Sequence, residues 1–256
     1  MYFRSTLLLQ AMKVIGVIPA RYASTRFPGK PLIDINGKTM IQRVYEQVSK
    51  AGLDKVVVAT DDEQIYSHVK GLGGEVVVTS STHTNGTERC NEVLIKTDED
   101  YDVVINIQGD EPYVQPDQIK AVASLFADPE VQIGTLVKKI EKGEDLMNPN
   151  SIKKVVLSKD MDAIYFSRSP IPYLQGMPVV EWLNHHVYYK HIGIYGYRPS
   201  VLSEIVALSP SLLEKAESLE QLRWLENGYR IKTALTDFES PSVDVPEDLE
   251  LLKKFE

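Results

Sequence analysis

Residues 18–31 read IPARYASTRFPGKP and follow a short apolar run at residues 14–18 that is typical of a strand. The loop carries three cations, Arg21, Arg26 and Lys30, among small residues and a glycine. In an open α/β sheet, ligands bind where such a loop leaves the carboxyl end of a strand. Fixed cations and free backbone N–H groups suit a polyphosphate. Charge and position alone leave a solvated surface loop equally open, because the spacing fits neither a P-loop nor the dinucleotide fingerprint.

Strand and helix patterns alternate through the first half of the chain. Four runs rich in Val and Ile lack apolar–polar alternation, as strands buried on both faces do: residues 14–19, 55–59, 75–79 and 102–107. Apolar residues at helical spacing separate these runs, for example Ile41, Val44 and Val48. The order predicts an α/β fold with a doubly wound, mostly parallel Rossmann-like sheet.

The second half of the chain has strands that lie closer together in sequence, with turn residues between them. The strand patterns cover residues 133–140, 154–158, 163–167 and 190–197. They predict a smaller mixed or antiparallel lobe, at about residues 130–200, within a single domain of residues 13–256. Further patterns predict helices at 199–207 and 211–227, a strand at 229–235 and a last helix that opens at Pro246.

Composition and charge limit the kinds of binding partner that we expect for this chain. The chain has 256 residues and a net charge of −8, so we expect neither nucleic acid nor an anionic membrane as a partner. No apolar run reaches the ~18–20 residues of a membrane span, so membrane insertion is not expected. The single cysteine, Cys90, permits no intrachain disulfide and fits a reducing cytoplasm. Its helical pattern with Val93 favours a buried core thiol over a nucleophile.

The N-terminal segment, residues 1–12, precedes the first strand pattern. Its only apolar block is Leu7-Leu8-Leu9, which is shorter than the ~7–15 residues of a signal-peptide core. We expect translation to start at Met12 and residues 1–11 to be dispensable.

Two acidic motifs are candidate partners for the cationic loop. Asp110 follows the strand at residues 102–107, next to Gly109, which allows a ligand to approach the backbone closely. Asp244 lies just ahead of the last helix. Alone, Asp110 fits a turn and Asp244 fits a helix cap. Together with the loop they predict a clamp in which Mg²⁺ joins two carboxylates to phosphate oxygens.

A series of short motifs runs through residues 13–256, and their combined order is far more specific than any one of them. They are PARYASTR (19–26), GKPL (29–32), VATD (58–61), GTER (86–89), QGDEP (108–112), YFSR (165–168), HIGIYGY (191–197), LEQLR (219–223), VD (243–244) and PED (246–248). This ordered set resembles the CMP-Kdo synthetase family, the 3-deoxy-manno-octulosonate cytidylyltransferases. Asn85 and Val245 depart from the Ser and Thr more usual in the family.

The resemblance implies a nucleotidyltransferase-type sheet and a reaction. CTP and the eight-carbon acid sugar Kdo give CMP-Kdo and pyrophosphate for lipopolysaccharide biosynthesis, with Mg²⁺ as cofactor. The anomeric hydroxyl of Kdo attacks the α-phosphorus and pyrophosphate leaves in line. The family also implies a homodimer, and we expect Trp182, Tyr188 and Tyr189 to be exposed and to line its interface.

The resemblance also implies roles for residues at matching positions. Four residues are predicted to be catalytic, the two aspartates as Mg²⁺ ligands: Arg21, Lys30, Asp110 and Asp244. The predicted CTP-binding residues are Pro19, Ala20, Arg21, Arg26, Lys30, Asn85, Gly86, Arg89 and Gln108. The predicted sugar-binding residues are Gln108, Arg168, His191, Tyr195, Glu220 and Gln221.

Two rival functions remain open. A cytidylyltransferase for another acidic sugar, such as sialic acid, would share the CTP half of the site and differ in the acceptor half. A non-catalytic nucleotide-binding protein on the same fold would be favoured by a missing metal ligand, yet Asp110 and Asp244 are both present.

Overall fold

A computed structural model describes residues 12–23 and 27–252, which are organised around one central sheet. The strands are β1 (Val14–Ala20), β2 (Asp34–Ile35), β3 (Lys38–Thr39), β4 (Lys55–Thr60), β5 (Glu75–Val78), β6 (Val103–Asn106), β7 (Ile133–Lys139), β8 (Lys154–Leu157), β9 (Ala163–Ser167), β10 (Tyr189–Tyr197) and β11 (Ile231–Leu235). The predicted dispensable segment, residues 1–11, and the predicted CTP ligand Arg26 lie outside the described residues.

Helices connect most of these strands. They are α1 (Met40–Ser49), α2 (Glu63–Gly71), α3 (Gly86–Lys96), α4 (Pro116–Leu125), α5 (Gly143–Met147), α6 (Trp182–His185), α7 (Pro199–Val206), α8 (Leu212–Glu217), α9 (Gln221–Glu226) and α10 (Leu249–Leu252). Side chains cap the helices that follow the first strands, because the first backbone N–H groups of a helix have no partner within it. Thr39 caps α1, Asp62 caps α2 and Asn85 caps α3.

The sheet has the order β11-β7-β10-β6-β1-β4-β5. Strand β1 lies between β6 and β4 and is parallel to both, and β4 is parallel to β5. Strand β10 pairs antiparallel with both β6 and β7, and β11 runs parallel to β7. Because β1, β4 and β6 are parallel, their carboxyl ends meet at one edge, where ligands bind in open α/β sheets.

Both faces of the sheet are buried. On one face, α1 and α4 pack through residues such as Ile41 and Ile119. On the other, α3 and α7 pack through Val93 and Leu202, together with the fully buried thiol Cys90. Cys90 is therefore a core residue as predicted, and its burial raises the pKa of the thiol far above the ordinary value. The predicted doubly wound α/β fold is confirmed. The four strands predicted in the first half of the chain are also confirmed, as β1, β4, β5 and β6.

One predicted helix is wrong. Residues 211–227 form two helices, α8 and α9, because Ser218 adopts a left-handed backbone with φ 52°. Long-range contacts hold both sides of the break. Glu217 accepts hydrogen bonds from Ser167 Oγ and the Arg168 backbone N–H, and Glu220 accepts one from Thr87 Oγ1. Tertiary contacts therefore outweigh the helical periodicity of this segment.

The region around residues 130–200 contributes two strands, β7 and β10, to the central sheet, and adds the antiparallel hairpin β8–β9. This region has a small apolar cluster of its own, formed by Ile140, Leu146, Trp182 and Tyr188. The predicted exposure of Trp182 and Tyr188 is wrong, since they are 3% and 1% exposed. Trp182 Nε1 donates to the Met177 carbonyl, and the Tyr188 hydroxyl donates to the Pro172 carbonyl. Whether this region forms a separate lobe stays a prediction.

Within the described ranges, the helices are all too short or too polar to cross a lipid bilayer.

Candidate active site

A cleft of about 220 Å³ opens at the carboxyl ends of the parallel strands. Residues from four chain segments line it: Pro19, Ala20, Arg21, Lys30, Pro31, His83, Thr84, Asn85, Gly86, Arg89, Gln108, Gly109, Asp110 and Asp244. Segments far apart in the sequence meet here because β1 and β6 are neighbours and α3 starts above β1. The cleft therefore combines the cationic loop with both acidic motifs.

Lys30 binds the two acidic motifs together. Its Nζ lies 2.7 Å from Asp110 Oδ2 and donates to the Val243 carbonyl at 2.6 Å. The Val243 backbone N–H donates to the Asp110 carbonyl at 3.0 Å. Gly29, at φ 71°, turns the chain just before Lys30. The structure thus places Asp110, Asp244 and Lys30 on the same rim of the cleft.

Asp248, rather than Asp244, caps the turn that follows the second acidic motif. Asp248 Oδ2 accepts hydrogen bonds from the backbone N–H groups of Asp244 and Val245, at 2.7 and 3.0 Å. Asp244 lines the cleft.

The donor set fits Mg²⁺. Among residues 12–23 and 27–252, no group of three or more His, Cys, Asp or Glu side chains could hold a metal ion by itself. Mg²⁺ commonly binds to one or two carboxylates and completes its shell with water and phosphate oxygens. Asp110 and Asp244 both line the cleft and would supply two carboxylates of this kind, and Asp110 is ion-paired with the Lys30 ammonium.

Glycines bring backbone segments into close contact at the floor of the cleft. A Cβ on Gly109 would lie 2.6 Å from the Pro19 carbonyl oxygen. A Cβ on Gly86 would lie 3.1 Å from Pro19 Cγ and 3.3 Å from Asn106 Nδ2. A side chain at either glycine would crowd these neighbours, and at Gly109 the neighbour is the main chain of β1.

A carboxylate network holds the loop before α3. Asn85 accepts the Glu88 backbone N–H at 2.9 Å as the helix cap. Glu88 accepts the Thr84 backbone N–H and hydroxyl, and His83 contacts both Glu88 and Glu92. Hydrogen bonds lower the pKa of Glu92 to about 2, so it stays ionised. This network places His83, Thr84 and Asn85 on one wall of the cleft.

Arg89, from the first turns of α3, is only 3% exposed yet lines the cleft. Its Nη1 donates to Thr79 Oγ1 at 2.7 Å, and its Nη2 lies 3.3 Å from Asp61 Oδ2. Buried cations require such partners, because an unpaired charge in the interior is costly.

The predicted sugar ligands are placed differently. Gln108 lines the cleft, and its Nε2 donates to the Gly193 carbonyl at 3.1 Å. Arg168 does not line the cleft, and its guanidinium donates to four backbone carbonyls: Glu217, Pro149, Asn150 and Ser218. In this arrangement Arg168 ties two loops together.

His191 and Tyr195, two of the predicted sugar ligands, lie on β10. His191 Nε2 is 3.0 Å from Thr135 Oγ1, and burial lowers the pKa of the imidazole to about 3, so it stays neutral. The Tyr195 ring packs edge-on against Trp224, and its buried hydroxyl has no hydrogen-bond partner among the described residues. Burial raises the pKa of this hydroxyl well above its ordinary value.

Glu220 lines a second groove, of about 360 Å³, that shares Thr84 and Asn85 with the cleft. Burial raises the pKa of the Glu220 carboxyl to about 7, although its hydrogen bond from Thr87 opposes that shift. The neighbouring Gln221 is 6% exposed and lines neither space in the described structure.

Lys153 is a candidate that the sequence motifs missed. Burial lowers the pKa of its ammonium, and so does the positive charge of Arg168. The negative charges of Asp244, Glu111 and Asp110 oppose the shift. The charges of both acidic motifs and of Arg168 therefore act on Lys153, whose Nζ donates to the Ser151 carbonyl at 3.2 Å. Its sequence signal is a pair of lysines, of which the second begins β8. The second of these, Lys154, is fully buried and bonded to three backbone carbonyls.

The chain is similar to known cytidylyltransferases over nearly its whole length. A family model described as cytidylyltransferase matches residues 15–232. A 3-deoxy-manno-octulosonate cytidylyltransferase of Parabacteroides distasonis is 59% identical over 243 residues, covering 93% of this chain and 96% of that relative. One of Bacteroides thetaiotaomicron is 56% identical over 247 residues, covering 95% of this chain and 98% of that relative.

A solved structure shows the same likeness. It is the structure of CMP:2-keto-3-deoxy-manno-octonic acid synthetase complexed with CTP. The TM-score is 0.88 at 42% identity, and the match covers 95% of this chain and 98% of that one.

Proposed function

Because this chain belongs to the family of 3-deoxy-manno-octulosonate cytidylyltransferases, we propose that it couples CTP to Kdo in a Mg²⁺-dependent reaction. The products are CMP-Kdo and pyrophosphate. The observation that carries the proposal is the meeting of Lys30, Asp110 and Asp244 at one rim of a single cleft.

The chemistry is nucleotidyl transfer, in which positioning and charge stabilisation dominate. Arg21 and Lys30 bind the triphosphate and stabilise the charge that grows on the departing pyrophosphate. Asp110 and Asp244 would hold Mg²⁺. The ion would supply charge stabilisation there and would make the sugar hydroxyl more acidic.

The acceptor is a carboxylate and needs a cation near the metal site. Arg168 remains a predicted ligand, but four carbonyls occupy its guanidinium. The Lys153 ammonium makes a single described hydrogen bond, to the Ser151 carbonyl at 3.2 Å, and the charges of Asp110 and Asp244 act on it. We therefore propose Lys153 as a second partner for the sugar carboxylate, with Gln108 and Tyr195 binding sugar hydroxyls.

We propose a homodimer that works in the cytoplasm and supplies lipopolysaccharide biosynthesis. The support for the dimer is a set of exposed apolar side chains around α6: Tyr173, Val179, Val180 and Val187. This set replaces the buried Trp182 and Tyr188 as the proposed interface, since large exposed apolar patches mark association sites.

The test is pyrophosphate release from CTP, measured with and without Kdo and with and without Mg²⁺. We expect release only when Kdo and Mg²⁺ are both present. Faster turnover with sialic acid than with Kdo would favour the rival acceptor. CTP binding without turnover on either sugar would favour a non-catalytic protein.

A further inference from the structure

Asp61 is a half-buried carboxylate with one oxygen that lacks a described partner. It follows β4, and its Oδ1 is buried without a hydrogen-bond partner in the described part of the chain. Its other oxygen, Oδ2, lies 3.3 Å from Arg89 Nη2. An unsatisfied buried carboxylate oxygen is costly, so this arrangement does not serve stability alone.

Arg89, the ion-pair partner of Asp61, has more N–H donors than its described contacts use. A guanidinium carries five N–H donors in a planar fork. In the described structure Thr79 accepts one of them and Asp61 faces another. None of the Arg89 nitrogens is among the buried polar atoms without a partner, and the residue lines the cleft. The unused donors therefore open onto the cleft.

The sheet topology separates Arg89 from Lys30 and Asp110, where the phosphates are proposed to bind. Asp61 and Thr79 follow β4 and β5, on one side of β1, whereas Asp110 follows β6 on the other side. A nucleoside triphosphate that spans the cleft has its phosphates at Lys30 and Asp110. Its base then reaches the wall formed by α3, where Arg89 lies.

We propose that Asp61, together with Thr79, is a positioning residue that orients Arg89 to select cytosine over uracil. The inference rests on the proposed function. Cytosine presents two adjacent acceptors, O2 and N3, to a fork of N–H donors. Uracil carries a hydrogen on N3. This N3–H would face an N–H of Arg89, and neither of these two donors would have an acceptor inside the protein.

The first experiment compares kcat/KM for CTP and for UTP in the full-length protein. In Asp61→Ala and Asp61→Asn we expect the CTP/UTP ratio to fall about 10-fold or more, because the orientation of the guanidinium is lost. The KM for CTP should rise while kcat and the KM for Kdo stay nearly unchanged. Arg89→Lys keeps the charge without the fork, and we expect it to lose the same selectivity.

The neighbouring Asp62 offers a matched control. Its carboxylate caps α2 by accepting the Gln64 and Ile65 backbone N–H groups, so it acts on stability at the same strand end. Asp62→Ala should lower the melting temperature and leave the CTP/UTP ratio unchanged.

An unchanged CTP/UTP ratio in Asp61→Asn, or an equal loss in Asp62→Ala, would overturn the inference. So would an Arg89→Lys protein with wild-type selectivity, or a wild type that does not prefer CTP. Calorimetric titration of each protein with CTP and UTP measures the same preference without an acceptor sugar. A wild type that binds CTP selectively but does not turn over Kdo would refute the proposed function alone.

Discussion

The two halves of the candidate site differ in whether their side chains line the cleft or are held by contacts within the protein. On the nucleotide side, Lys30, Asp110, Asp244 and Arg89 come from separate segments and line one cleft. On the predicted acceptor side, Arg168 is bonded to the protein's own carbonyls, while on β10 His191 is half-buried and Tyr195 is buried.

The difference follows from where each side chain sits in the fold. Residues at the carboxyl ends of parallel strands project into the ligand edge by topology alone. Acceptor residues on antiparallel strands and short helices are placed by packing, so each has a structural contact as well as its predicted role. Substitutions of Asp110 and Asp244 should change rate alone, whereas substitution of Arg168, which is bonded to four carbonyls, should change rate and stability together.

The largest effect is expected at the acidic motifs. Asp110→Asn and Asp244→Asn should each lower turnover about 100-fold or more, because charge stabilisation at the phosphates is lost. Pyrophosphate release at saturating CTP, Kdo and Mg²⁺ measures the rate, and thermal melting should show an intact fold. The exposed Glu247 is the matched control, since Glu247→Gln should retain the wild-type rate. Near-normal rates in both aspartate variants would remove the metal assignment.

A smaller and mixed effect is expected at Arg168. Arg168→Ala should raise the KM for Kdo more than the KM for CTP. It should also lower the free energy of unfolding by about 1–3 kcal/mol, because it removes bonds that hold two loops. Steady-state kinetics and urea unfolding measure the two effects. Arg230→Ala, which breaks an exposed pair with Asp162, should change neither appreciably. Equal changes in both KM values would contradict a sugar-side role.

Glu220 should make stability depend on pH. Burial raises the pKa of its carboxyl from 4.5 to about 7. Between these values the folded protein holds a proton that the unfolded chain releases, so the Glu220 contribution to stability falls as pH rises. Glu220→Gln should remove this fall, worth roughly 1–3 kcal/mol. Urea unfolding at pH 5 and pH 8 measures it. If both proteins lose the same stability between these values, the carboxyl is not held protonated.

The smallest effect is expected at Tyr195. Its hydroxyl has no partner in the described structure, so Tyr195→Phe should change the free energy of unfolding by less than about 1 kcal/mol. The KM for Kdo should rise if the hydroxyl binds sugar, while the KM for CTP stays constant. Tyr188→Phe loses a hydrogen bond to the Pro172 carbonyl and should cost about 1 kcal/mol. An unchanged KM for Kdo in Tyr195→Phe would leave this hydroxyl without a role in binding.

Patterns local in the sequence were sufficient for much of the fold and for the nucleotide side. The Val- and Ile-rich runs mark the parallel strands because strands buried on both faces need apolar side chains throughout. Asp110 could be found because it directly follows such a run, and Asn85 because it directly precedes a helix.

Long-range contacts explain what the patterns missed. The break at Ser218 depends on Glu217 reaching β9, and the burial of Trp182 and Tyr188 depends on their stacking with each other. Lys153 has no motif of its own, and its environment exists only once the acidic and acceptor segments meet.

The amino-acid sequence by itself determined the alternating strands and helices, the cationic loop and the two acidic motifs, because periodicity and strand-end chemistry are local properties. Only the tertiary structure decided which charges meet. The pairing of Lys30 with Asp110, of Arg89 with Asp61 and of Arg168 with distant carbonyls depends on strand order, which brings residues far apart in the chain to one edge of the sheet.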